Sequence, residues 1–190
     1  MISKRYAVVG MVAALILGIV LGSLLAVRPV GQSPGGGPLK VQAVERSAAE
    51  DAAHADLEAA LAKDPKNGKL WLAIGNSFYD RREPEKAIDA YEMALRLGER
   101  TADLLTDLGS MYRSTRQFER AVLAFQEAKT LDPKHIPSRL NEGIVLFYDL
   151  SQVEPAVEVW EEALAINPKI KLNTGEPLSE LVRQLKNRKQ

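Results

Sequence analysis

The sequence predicts an all-α solenoid of stacked antiparallel helix pairs, preceded by a single transmembrane helix. Three observations carry this expectation. Ala53, Ala87 and Ala121 recur at a period of 34 residues, and Ala156 follows after 35. Leu57, Tyr91, Phe125 and Trp160 come four residues after these alanines, and Ala60, Ala94, Ala128 and Ala163 three residues later still. Ahead of the second-helix stripe, Gly75, Gly109 and Gly143 repeat at 34, while Pro65, Pro133 and Pro168 close three of the four units. A fixed period of this length means stacked hairpins, because one hairpin alone cannot bury its apolar face. Finally, Tyr6 to Val27 forms a run of 22 residues with neither charge nor proline.

The elements follow in chain order. At 1.5 Å per residue the run 6–27 reaches roughly 33 Å, enough to cross a hydrocarbon core of about 30 Å. Lys4 and Arg5 precede it and Arg28 follows, which favours a cytoplasmic N-terminus. The segment Leu24 to Pro29 offers no small-x-small cleavage site, so an uncleaved anchor (residues 1–27) is preferred over a signal peptide. Residues 28–45 read as a flexible linker, with Pro29, Gly31, Pro34, Gly35, Gly36, Gly37 and Pro38. No Gly-Lys-Ser/Thr follows the glycines, so they are a spacer and not a phosphate cradle.

The array itself is expected over 46–170. It opens on a half repeat (46–67) that shows only a second helix. In 68–101, Trp71, Ile74, Gly75 and Phe78 share one helix face, Arg81 to Pro84 break the helix, and Ala87, Tyr91 and Ala94 stripe the next. The unit 102–135 repeats the layout with Leu105, Leu108, Gly109 and Tyr112, then Ala121, Phe125 and Ala128. The unit 136–170 carries one extra residue and leaves two registers open. With Gly143 in its usual place, Arg139 and Glu142 fall where large apolar residues belong. With a slip of one, Leu140, Ile144 and Phe147 fill those places. Residues 171–190 read as a polar-faced capping helix built on Leu178, Leu181, Val182 and Leu185.

This pattern resembles the tetratricopeptide repeat family from about Arg46 to Lys169, and two units fit at nearly every signature position. The resemblance implies a right-handed superhelix whose first helices line a concave binding face. On that basis the groove residues are Lys69, Leu72, Asn76, Tyr79 and Asp80, then Asp103, Thr106, Ser110, Arg113 and Ser114. With Gly143 in its usual place, Leu140, Ile144, Phe147 and Tyr148 complete the set. An alternative for the last group is packing against the C-terminal helix. Family members that hold the acidic tail of cytosolic chaperones use a Lys, Asn, Asn, Lys and Arg clamp. The matching places here are Leu72, Asn76, Asp107, Pro137 and Asn141, of which only Asn76 agrees. The anchor, tether and repeat layout resembles repeat proteins of c-type cytochrome maturation, and anchored subunits that accompany the secretion translocon. It implies a single-pass protein of the inner (plasma) membrane, with the repeats periplasmic or otherwise extracytoplasmic. Its partners would be client proteins or membrane-complex subunits, and the alternatives are a self-assembling (homo-oligomeric) or translocon-associated scaffold subunit, or a chaperone-like quality-control adaptor.

Composition narrows the remaining chemistry. The chain has no cysteine, which excludes a disulfide framework and a cysteine-zinc site. Residues 1–40 carry four Lys/Arg and no acid, while the other 150 hold 21 Lys/Arg against 25 Asp/Glu. A mildly acidic domain lacks the basic face that nucleic acid requires. His54 and His135 stand alone, with no metal-ligand spacing and no nucleophile motif. No catalytic, cofactor or metal residue is expected, and a non-enzymatic binding protein is the reading.

Overall fold

A computed structural model describes residues 38–187, with side chains described from residue 48. The chain divides into two units, 1–43 and 44–190. Of the first, only residues 38–43 are described, and they are helical. Eight α-helices occur among the described residues: α1 Pro38–Lys63, α2 Gly68–Asp80, α3 Pro84–Arg96, α4 Ala102–Ser114, α5 Phe118–Leu131, α6 Ile136–Ile144, α7 Val153–Ile166 and α8 Leu178–Asn187. A π-helical turn, Val145–Asp149, continues α6. The helix pairs stack as a superhelical array. α1 starts at Pro38, inside the segment read as linker, because Leu39 to Val44 contain no further Pro or Gly and lead straight into the alanine-rich run.

Local chemistry sets the helix boundaries. Asn67 caps α2 by accepting from the backbone N–H groups of Lys69 and Leu70 at 3.1 and 3.3 Å. Thr101 caps α4 through Leu104 at 3.1 Å, and His135 caps α6 through Ser138 at 3.3 Å. Pro84 opens α3 at a position where its missing N–H has no helical partner to lose. Each hairpin turns on a residue of positive φ, namely Arg82 (59°), Arg116 (61°) and Ser151 (57°). Arg82 and Arg116 are 34 apart, but Arg116 and Ser151 are 35 apart, so the extra residue lies before Ser151.

The register left open by the sequence is settled by ring contacts. Gly75 lies under Tyr91, Gly109 under Phe125 and Gly143 under Trp160, each so closely that a Cβ would strike the ring. Gly143 therefore keeps its usual place. The added residue is taken up by the π turn, whose i to i+5 spacing absorbs one residue without moving the flanking helices. Tyr91, Phe125, Trp160 and Tyr112 are buried, whereas Trp71 and Phe78 are half-buried. Among the described side chains of α1, His54 is the buried one, bonded through Nδ1 to Ser77 Oγ at 2.8 Å and edge-on to Phe78. α8 closes the array by burying Leu178, Val182 and Leu185, with Arg183, Gln184 and Lys186 outward.

The expected membrane placement is corrected. No helix among the described residues is long and apolar enough to cross a membrane. α1 has the length, with 26 residues, but Lys40, Glu45, Arg46, Glu50, Asp51, Asp56 and Glu58 divide its sequence. The predicted span, 6–27, lies outside the described residues. This finding overturns the inner-membrane localisation with periplasmic repeats.

Candidate protein-binding groove

α2, α4 and α6 each present one face to the hollow of the array, and the side chains there form the candidate site. A cleft of about 370 Å³ opens among Tyr79 of α2, Ser110, Arg113 and Ser114 of α4, Asn141 of α6, and Asp149 of the π turn. Met111, Phe118 and Phe125 supply apolar surface within it, and Arg116 borders it. Tyr79 keeps 38% of its surface exposed, which suits an aromatic side chain awaiting a contact. Arg113 Nε donates to Asp149 Oδ2 at 2.5 Å across the cleft. Ser110 and Ser114 return their hydroxyls to the carbonyls four residues back, at 2.9 and 3.0 Å.

Other sequence-predicted residues sit elsewhere on this face. Asn76 accepts the phenolic proton of Tyr91 at 2.9 Å, so it braces the ring that covers Gly75. Thr106 is buried and donates to the Ala102 carbonyl, which leaves little of it for a partner. Lys69 and Asp80 are exposed on α2, and Leu72 packs against the core. Leu140, Ile144 and Phe147 are half-buried against the cluster that includes Leu178, Val182 and Leu185, with Phe147 5.6 Å from the Trp160 ring. Only the neighbouring Tyr148 stands out, 49% exposed and edge-on to Phe147.

Between α2 and α4 the face is acidic. Asp107 is pushed up to about 6, first by burial and then by the charges of Asp103 and Asp80, while His135 opposes the shift. His135 Nδ1 accepts from Ser138 N, which leaves Nε2 as the donor to Asp103 Oδ1 at 3.0 Å. Burial raises the Tyr91 phenol well above its ordinary value, with Asp107 adding to it. Among the described residues no group of three or more His, Asp and Glu side chains is arranged to hold a metal ion.

Asp149 and Asn141 complete the cleft without having been placed there by groove spacing. Asn141 sits at a place noted only for the clamp. Asp149 reaches the cleft because, with the added residue taken up in the π turn, it stands at the place that Ser114 holds one unit earlier. The signal was the 35-residue interval between Ala121 and Ala156, which says that a residue is added but not where.

Stacked hairpins with a glycine under a ring in each pair, lined inside by polar side chains, define a helical-repeat interaction module. The tetratricopeptide repeat model matches residues 50–100 and 72–136 of this array. Over 103 residues the chain is 29% identical to the heat-shock protein cognate co-chaperone sgt12 of Aspergillus fumigatus, covering 54% of this chain and 30% of that protein. Protein bimA of Emericella nidulans is 26% identical over 106 residues, 55% of this chain and 13% of that protein. The chain thus spans less than a third of either relative. Among solved structures, MamA superposes with a TM-score of 0.65 at 22% identity, over 75% of this chain and 76% of that one. The first repeat domain of Spaghetti (RPAP3), bound to an HSP90 peptide, superposes with a TM-score of 0.55 at 20% identity, over 66% and 94%. These likenesses support the repeat family and not the narrower cytochrome-maturation type.

Proposed function

We propose that this chain binds other proteins by holding an extended or helical segment of a client in the groove of α2, α4 and α6. The observation that carries this reading is the cleft itself, where Tyr79, Ser110 and Arg113 converge with Asn141 and Asp149 around about 370 Å³. An exposed aromatic wall beside hydrogen-bonding side chains suits a peptide, whose backbone and side chains offer both kinds of contact. The sgt12 and Spaghetti relatives support a client-binding role of this class. Their likeness does not carry over a specificity for acidic tails, since Asp107 places a carboxylate at a clamp position and would repel one. A client rather than a self-assembling scaffold is the reading that an open polar cleft favours.

The test is the double variant Tyr79→Ala with Arg113→Glu. Client capture should fall while helical content is kept and the melting temperature moves by less than ~3 °C. Undiminished capture would move the binding site off the groove.

A further inference from the structure

The junction between α5 and α6 departs from the rest of the array. Lys129, Arg139 and Glu142 stand there at the places that Leu95, Leu105 and Leu108 hold at the junction of α3 and α4. Glu142 is 2% exposed and Arg139 8%. Across the junction Lys129 Nζ meets Glu142 Oε2 at 2.7 Å and Glu162 Oε2 at 3.5 Å, and Gln126 Nε2 donates to Glu142 Oε1 at 3.1 Å, while Arg139 Nε pairs with Glu162 Oε2 at 3.2 Å inside the later segment. The apolar core is also divided at this junction. One cluster is built from α3, α4 and α5 with Val145, the other from Leu146, α7, Ile170 and α8. Val145 is fully buried among the first group, and the half-buried Val122 and Leu150 pack against both groups, so only these few apolar side chains bridge the two clusters.

We infer that the α5–α6 junction is the place where the array opens, with residues 136–187 undocking as one unit while 68–131 stay folded. Repeat arrays gain stability from each unit and each interface separately, so the weakest interface sets where opening begins. An ionic interface is the weaker kind, because its attraction must first offset the desolvation of every charge, whereas leucines gain on burial. Opening has a consequence for the groove. Tyr79, Ser110 and Arg113 stay with the earlier segment and Asn141 and Asp149 leave with the later one, so the Arg113–Asp149 bridge parts and the cleft widens.

Hydrogen exchange of the full chain, read by mass spectrometry without any partner, tests this. The expected result is one shared, faster protection class over 136–187 than over 68–131. Grafting the leucines in the variant K129L/R139L/E142L should slow that class by roughly tenfold or more. Should the triple variant fail to fold, Glu142→Gln serves instead, with faster exchange expected over 136–187 alone. Equal protection on both sides of the junction would overturn the inference. So would a faster class that neither variant changes, or a Glu142→Gln effect spread evenly over the whole array.

Discussion

At the junction of α3 with α4 the array has half-buried Leu95, packed on the cluster that holds Leu108, and buried Leu105; 34 residues on, Lys129, Arg139 and Glu142 occupy the same places. Yet both junctions lie beside the same construction, a glycine pressed under an aromatic ring, Gly109 under Phe125 and Gly143 under Trp160. The difference shows that helix spacing and register depend on the glycine and ring contact more than on an apolar interface. That contact is steric and has one solution, so it survives when the neighbouring positions turn ionic. The interface chemistry then governs how strongly one pair holds the next, which is a separate property.

The largest expected effect comes from moving the charge without its partners. Leu108→Glu would bury a carboxylate opposite Leu95, where the later junction offers Lys129, and should cost about 4 kcal/mol in urea unfolding. If it costs less than about 1 kcal/mol, the two junctions do not differ in the way described. Next comes Gly143→Ala, whose Cβ would overlap Trp160 and displace the indole from its bond to the Leu140 carbonyl. About 3 kcal/mol is expected, against about 2 for Gly109→Ala, whose Cβ would meet Phe125 at 2.5 Å. Equal and small losses would remove the glycine and ring contact as the register device. In the other direction, Glu142→Leu leaves Lys129 beside Glu162 at 3.5 Å, so it should change stability by only about 1 kcal/mol.

The smallest effect concerns Asp107. Because its folded value is raised to about 6, this side chain favours the folded state when protonated, and that contribution is lost as the pH rises through about 6. Asp107→Asn should therefore stabilise the array near pH 7 by roughly 1 kcal/mol, after allowance for partial solvent exposure. The gap between variant and parent should close as the pH falls from about 6 to below 3.8, under both its folded and unfolded values. A gap that widened on acidification would reverse the assigned sign.

Much of the fold was legible because the repeat prints its contacts three times over. Gly75, Gly109 and Gly143 and their rings could be read directly from spacing, and the helix pairs with them. The unit 136–170 could not be read to the same depth. Arg139 and Glu142 are poor evidence for a core position on composition alone, and their pairing with Lys129, Gln126 and Glu162 comes from residues distant in sequence. The π turn is also a local conformation with no side-chain signature, so the position of Asp149 depended on the structure. On the groove, the family resemblance implied that Tyr79, Ser110 and Arg113 line the inner helices. It did not show that Asn76 is taken up by Tyr91, or that Thr106 bonds back to its own helix.

The claim that the inner groove binds a client can be tested most directly by site-specific photo-crosslinking in the cell. A photoreactive residue replaces Ser110, lining the cleft, or Leu123, 65% exposed on α5 and outside the cleft. The account predicts that position 110 cross-links to a defined protein and that position 123 does not. Cross-linking of the same protein from 123 and not from 110 would contradict it.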